Sequence, residues 1–99
     1  MSDTTPVIKY RYKLPGPNYT MATQSFGIEP YYTRGQDGRQ IKAGKSIIRC
    51  KFFNNTISCG WAKEAADLIV DLLNSGHIYS GPKILTFNKP IDVRGYFND

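Results

Sequence analysis

The chain has 99 residues, of which 40% are hydrophobic and 13% aromatic, and it carries a formal net charge of +5. This length supports one hydrophobic core, so we predict a single small domain over residues 1–99. The composition is that of a folded protein and argues against a disordered tail. No apolar run approaches the roughly 18 residues that span a bilayer, and the first residues lack the pattern of a signal peptide. We therefore expect an intracellular, cytoplasmic protein, which for a viral protein means the host-cell cytoplasm, and no membrane partner.

The positive charge is unevenly distributed along the chain. Residues 1–60 carry a net charge of +6, whereas residues 61–99 carry −1. A basic surface attracts nucleic acid, acidic proteins or anionic membranes without distinguishing among them. A binding surface is therefore expected in the first part of the chain.

Two strands are predicted near the N-terminus, after a flexible segment at residues 1–6. Residues 7–14 alternate, with Ile8, Tyr10, Tyr12 and Leu14 on one side and Lys9, Arg11 and Lys13 on the other. This period of two is typical of a half-buried strand. A turn at residues 15–18 and an irregular connection at 18–25 lead to a second strand at 25–33, in which Pro30 favours an edge or a bulge.

Residues 34–45 form a basic, glycine-rich segment, which we predict to be a mobile loop or the tip of a hairpin. The segment contains three glycines and four cationic residues, Arg34, Arg39, Lys42 and Lys45. Residues 36–38 are the expected turn, because the glycine at position 38 tolerates a positive φ.

The clearest pattern predicts a β-hairpin at residues 45–60. Residues 45–53 are rich in β-branched and aromatic side chains, Asn54 and Asn55 form the turn, and residues 56–60 return. In this register Ile48, Cys50, Phe52, Ile57 and Cys59 share the core face, and Arg49, Lys51, Phe53, Thr56 and Ser58 share the other face. Cys50 and Cys59 then lie opposite each other, as a disulfide or as two reduced thiols in the core. Reduced thiols are favoured in an intracellular protein.

One amphipathic helix is predicted at residues 61–75. Its apolar stripe consists of Trp61, Ala65, Leu68, Ile69, Leu72 and Leu73, and Gly76 follows where a left-handed cap is favoured. Residues 83–87 and 91–97 are expected to be short strands. The predicted fold is therefore α+β, an antiparallel sheet of about five to six strands with the helix packed on one face.

Patterns that would indicate catalysis or metal binding are sparse. His77 is the one histidine, and with the two cysteines it falls short of the four ligands of a structural zinc site. The segment Ala43-Gly44-Lys45-Ser46 resembles the end of a phosphate-binding loop, but position 39 is Arg39 rather than glycine and a strand is expected to follow. We therefore expect a protein that is not an enzyme and has no cofactor and no metal.

The basic residues are the best indication of function. The candidate binding set consists of Lys9, Arg11, Lys13, Arg34, Arg39, Lys42, Lys45, Arg49, Lys51 and Phe53. If the strands that carry these residues are neighbours with matching faces, they form a positive surface edged by an aromatic. Phosphates would contact the charges, and bases would stack on Phe53, Tyr31 or Tyr32. A solvated sheet face is the competing interpretation.

Two functional hypotheses follow from this surface. The first is a non-enzymatic module that binds DNA or RNA, or a nucleic-acid-handling complex, through the basic strands and the segment 34–45. The second is a small inhibitor or adaptor of the viral or phage type, which binds a protein stoichiometrically, either by occupying the nucleic-acid groove of its partner or through the acidic side of the helix as a mimic. A monomer and a homodimer are both compatible with the sequence, as is a structural subunit that pairs through residues 91–97.

Overall fold

The structure is a computed structural model that describes residues 7–15 and 23–98. The strands are β1 (Lys9–Arg11), β2 (Thr23–Thr33), β3 (Gln40–Lys42), β4 (Ile48–Phe53), β5 (Ile78–Tyr79), β6 (Ile84–Phe87) and β7 (Phe97–Asn98). Helix α1 (Thr56–Asn74) follows β4, and a single-turn 3-10 helix (Val93–Tyr96) precedes β7. The predicted flexible segment 1–6 and most of the predicted connection 18–25 lie outside the described residues.

A five-stranded mixed sheet forms the body of the fold. Its strand order is β1-β2-β4-β6, and β3 pairs with β2 beside this path. All of its pairs are antiparallel except β4 with β6, which is parallel. Strands β5 and β7 form a separate two-stranded sheet. The α+β prediction with one helix on a sheet is confirmed, but the prediction of a wholly antiparallel sheet is wrong.

Strand β2 pairs with two strands in succession along the same side. Residues Thr23 to Ile28 pair with β4, and Tyr31 to Thr33 pair with β3. Between these ladders, the backbone nitrogen of Ala43 donates to the carbonyl of Pro30 at 2.9 Å. Pro30 has no N–H to return a bond, so the ladder is interrupted there and residues 43–47 loop out before β4 begins.

The helix begins five residues earlier than predicted, at Thr56 instead of residue 61. Asn55 is extended, and its side-chain oxygen accepts a hydrogen bond from the backbone nitrogen of Ser58 at 2.7 Å. This is the geometry of a helix N-cap. Asparagine is favoured both at helix N-caps and in tight turns. The predicted hairpin turn at 54–55 and return strand at 56–60 are therefore wrong.

The parallel pairing of β4 with β6 follows from this helix. A parallel pair needs a long crossover between its strands, and α1 with β5 provides it. The strand predicted at 83–87 is observed as β6. The prediction of a strand at 91–97 is wrong, because residues Val93–Tyr96 form the 3-10 turn and the strand that follows is Phe97–Asn98.

The core lies between α1 and one face of the sheet. The helix contributes Ala62, Ala65, Ala66 and Ile69, and the sheet contributes Phe26, Ile28, Ile48, Cys50, Phe52, Leu85 and Phe87. Because three of these helical side chains are methyl groups, the helix axis can lie close to the strands. Trp61, Leu68 and Leu73 pack at the margin of this core. Gly76 ends the helix region with a φ of +94°, as predicted.

The two cysteines lie on different elements. Cys50 is buried in β4, between Phe26 of β2 and Leu85 of β6, whereas Cys59 is half-buried on α1. Because Cys59 lies on α1, its predicted position opposite Cys50 in a hairpin is wrong. Both residues are free thiols. Ile57, also expected in the core, is 62% exposed because it lies in the first turn of the helix. Burial raises the pKa of the Cys50 thiol to about 12.

Candidate nucleic-acid interface

The face of the sheet that α1 does not cover collects many of the predicted binding residues. We call it the open face. The strand registers place on it Lys9 and Arg11 of β1, Ser25, Gly27, Glu29 and Tyr31 of β2, Lys42 of β3, Arg49, Lys51 and Phe53 of β4, and Ile84 and Thr86 of β6. The alternation predicted for β4 is confirmed, since Ile48, Cys50 and Phe52 are buried on the other face.

One half of the open face, around Glu29, is occupied by contacts within the chain. The guanidinium of Arg11 pairs with Glu29 at 3.1 Å and donates to the side-chain oxygen of Gln40 at 2.8 Å. It also lies over the ring of Tyr31, at 4.9 Å from the centroid. The ammonium of Lys42 approaches the same carboxylate at 3.8 Å. In this paired half, consisting of Arg11, Glu29, Tyr31, Gln40 and Lys42, the carboxylate offsets part of the positive charge.

The other half is formed by Arg49, Lys51 and Phe53, and we call it the β4 half. Within residues 7–15 and 23–98, no ion pair involves Arg49 or Lys51. The guanidinium of Arg49 makes one long hydrogen bond, 3.4 Å to the hydroxyl of Ser25. Phe53 is 44% exposed. This half therefore presents positive charge beside an aromatic ring, and no acidic side chain of the described residues pairs with that charge.

A shallow pocket continues the β4 half at the beginning of β4. We call it the basic pocket; it has a volume of about 350 Å³ and is lined by Lys42, Lys45, Ser46, Ile47, Arg49 and Lys83. Lys83 was not among the predicted binding residues. The backbone nitrogen of Arg49 donates to the carbonyl of Lys83 at 2.8 Å, which brings this lysine to the pocket. Only the parallel entry of β6 creates this contact, so no local sequence pattern indicates it.

The remaining predicted binding residues lie apart from the β4 half. Arg34 and Arg39 are exposed on either side of the hairpin turn between β2 and β3, where the backbone nitrogen of Arg34 donates to the carbonyl of Arg39 at 2.8 Å. Lys13 follows β1 and lines a pocket with Arg11 and Glu29. Tyr32 falls on the helix side of the sheet, since successive residues of a strand point to opposite faces and Tyr31 lies on the open face. It is therefore not an open-face stacking residue.

The acidic residues of α1 lie away from the open face. Glu64, Asp67 and Asp71 are exposed on α1, which covers the opposite face of the sheet. Asp67 pairs with Lys63 at 3.0 Å and accepts a hydrogen bond from the hydroxyl of Tyr12. Helix α1 thus carries three acidic residues and one cation, Lys63, whereas the charged residues of the open face are mostly cations.

The comparisons with known proteins give no family for this arrangement. No protein-family model, curated protein or solved structure matches the chain. In the part of the chain that the structure describes, no group of three or more His, Cys, Asp or Glu residues is placed to hold a metal ion. No helix among those residues is long and apolar enough to cross a membrane.

Proposed function

We propose that the protein is a nucleic-acid-binding module whose contact surface is the open face of the sheet, centred on the β4 half. The observation that carries this proposal is the placement of Arg49, Lys51 and Phe53 on one exposed sheet face, without an acidic partner among the described residues. Cations on such a surface contact phosphates and release counterions, and an exposed aromatic ring offers a stacking platform for a base.

A single strand suits this surface better than a duplex. A sheet face is nearly flat, and the bases of a single strand are free to stack on side chains, whereas those of a duplex are stacked on one another. Tyr31 and Phe53 stand at opposite ends of the face, roughly 26 Å apart along β2 at about 3.3 Å per residue. A short oligonucleotide that stacks on Phe53 would therefore lie along the β4 half, over Lys51 and Arg49, and Tyr31 belongs to the other end of the face.

Charge reversal tests the electrostatic part of the proposal. Binding of a fluorescent single-stranded oligonucleotide is measured by anisotropy over a series of salt concentrations. Arg49→Glu with Lys51→Glu should weaken binding at least roughly tenfold and reduce the slope of log K against log salt by about 1 to 2. The matched control, Lys63→Glu with Arg94→Glu, changes the net charge equally on the helix side of the molecule. Equal weakening by both pairs would show that only net charge matters and would refute the proposed surface.

Phe53→Ala tests the stacking part separately. Loss of one stacked base costs about 1 to 3 kcal/mol, but it leaves the number of phosphate contacts unchanged. The affinity should therefore fall while the salt slope stays as in the wild type. Unaltered affinity would remove Phe53 from the interface and leave a purely electrostatic surface.

A second candidate function, stoichiometric binding to a protein, is favoured by an apolar groove at the start of α1. Phe53, Ile57 and Trp61 line this groove, and Ile57 is 62% exposed. Large exposed apolar side chains that adjoin one another are typical of protein-binding sites. Co-purification from lysate with and without nuclease separates the two candidates. A protein that co-purifies with the wild type after nuclease treatment, but not with the Ile57→Asp variant, would favour protein binding.

A further inference from the structure

The side chain of Ser46, in the loop at residues 43–47, lies over the open face because β2 has a glycine at position 27. A Cβ atom at Gly27 would lie 2.3 Å from the hydroxyl oxygen of Ser46 and 2.8 Å from its Cβ. Any other residue at position 27 would therefore displace Ser46. Gly27 also pairs with Arg49 across the sheet. Because position 27 is a glycine, Ser46 can lie next to Arg49, and both residues line the basic pocket.

The charged side chains that line this pocket are all cationic. Four of its six lining residues are the cations Lys42, Lys45, Arg49 and Lys83, and none is a carboxylate. Among the described residues, Lys45, Arg49 and Lys83 form no ion pair, and Glu29 engages only Lys42 of this group. Like charges that share one pocket repel one another, so an anion bound between them would be stabilised by all four.

The loop also limits how far a bound strand could extend. Ser46 occupies the open face at Gly27, which lies along β2 between Ser25 and Glu29. A strand that runs along β4 from Phe53 past Lys51 to Arg49 therefore meets the loop at the pocket. The part of the nucleic acid that lies in the basic pocket would therefore be the end of the strand. A terminal phosphate carries a charge of about −1.5 to −2 at pH 7, more than the single charge of a phosphodiester.

We propose that the basic pocket binds a phosphate monoester, and that on a nucleic acid this is the terminal phosphate of the strand. As an account of strand-end binding, the proposal rests on the nucleic-acid-binding function proposed above. The site differs in architecture from a phosphate-binding loop. Residues 43–47 lead into strand β4, so side-chain cations would hold the anion, without a helix N-terminus.

The test compares otherwise identical single-stranded oligonucleotides that carry a 5′-phosphate, a 3′-phosphate or hydroxyls at both ends, titrated against the full chain. One of the two phosphorylated oligonucleotides, either the 5′ or the 3′ form, should bind roughly fivefold to tenfold more tightly than the hydroxyl form. Lys45→Gln and Lys83→Gln should each reduce this preference, whereas the matched control Lys63→Gln should retain it. The end that gives the preference defines the polarity of the bound strand.

A parallel titration with inorganic phosphate separates this proposal from the proposed function. Amide resonances of residues 43–49 should shift in the wild type and stay unshifted in Lys45→Gln with Lys83→Gln. Equal affinity for phosphorylated and hydroxyl ends, in oligonucleotides that do bind, would overturn the pocket and leave the function standing. Phosphate shifts without any oligonucleotide binding would support the pocket and overturn the function. Neither effect in the wild type would overturn both.

Discussion

The two faces of the sheet are built from alternate residues of the same strands, yet they meet different surroundings. On β4, the side chain of Phe52 is 2% exposed and packs beneath α1, whereas that of Phe53 is 44% exposed on the open face. The buried face gains its free energy from apolar area removed from water, about 25 cal/mol per Å². The open face gains little from its charges in water. Stability should therefore depend on one face and binding on the other.

Neighbouring substitutions on β4 give the largest contrast between the faces. Phe52→Ala removes a fully buried ring and should lower the free energy of unfolding by about 3 to 5 kcal/mol, measured by urea denaturation. Lys51→Ala, on the open face, should change it by about 0.5 kcal/mol or less. If Phe52→Ala leaves too little folded protein, Phe52→Leu should still lower stability by about 1 kcal/mol. Comparable losses from Lys51→Ala and Phe52→Ala would contradict the division between the faces.

The beginning of α1 gives a smaller effect, which tests how the buried face is covered. Asn55→Ala removes the side-chain oxygen that accepts from the backbone nitrogen of Ser58, and it should lower the free energy of unfolding by about 1 kcal/mol. Asn54→Ala is the matched control, because Asn54 is exposed and lies just before the cap. Its effect should stay within about 0.5 kcal/mol. A larger loss from Asn54 than from Asn55 would indicate a hairpin turn in place of the cap.

Local periodicity predicted the faces of β1 and β4 correctly. The alternation around Lys9 and Arg11, and again around Arg49 and Lys51, follows from the period of two that any half-buried strand must show. Gly76 was predictable as a helix end for a similarly local reason, because a positive φ favours glycine. The shared basic face of β1 and β4 could be stated only as a condition, since it depends on which strands are neighbours.

One ambiguous position accounts for most of what the sequence did not predict. Asn55 suits both a tight turn and a helix N-cap, and the choice depends on whether residues 56–60 pack as strand or helix. The hairpin interpretation placed Ile57 and Cys59 in the sheet and made the next strand antiparallel. The helix interpretation makes β6 parallel to β4. Lys83 therefore reaches the basic pocket through a contact between residues 34 positions apart, as the hydrogen bond of Arg49 to Lys83 shows.

The smallest predicted effect concerns the link between the β1 segment and the acidic side of α1. The hydroxyl of Tyr12 donates to Asp67, which also pairs with Lys63 at 3.0 Å. Burial raises the pKa of Asp67. The hydrogen bonds from Tyr12 and Lys63, together with the charge of Lys63, lower it by a larger amount, so the pKa of Asp67 is below its usual value. A lowered folded-state pKa adds stability above the unfolded pKa of about 3.9, and this stability is lost as the pH falls through the folded value.

Tyr12→Phe should therefore destabilise the protein more at pH 7 than at pH 2. Because the side chain of Asp67 is 51% exposed, solvent screening limits the loss at pH 7 to a few tenths up to about 1 kcal/mol. Tyr32→Phe is the matched control, and its effect should be the same at both pH values. Urea denaturation at the two pH values measures both variants. A loss for Tyr12→Phe that does not change with pH would mean that the hydroxyl stabilises the fold independently of the charge on Asp67. No loss at either pH would mean that the tyrosine acts only through its ring, which lies 5.1 Å from the ring of Phe26 and which phenylalanine keeps.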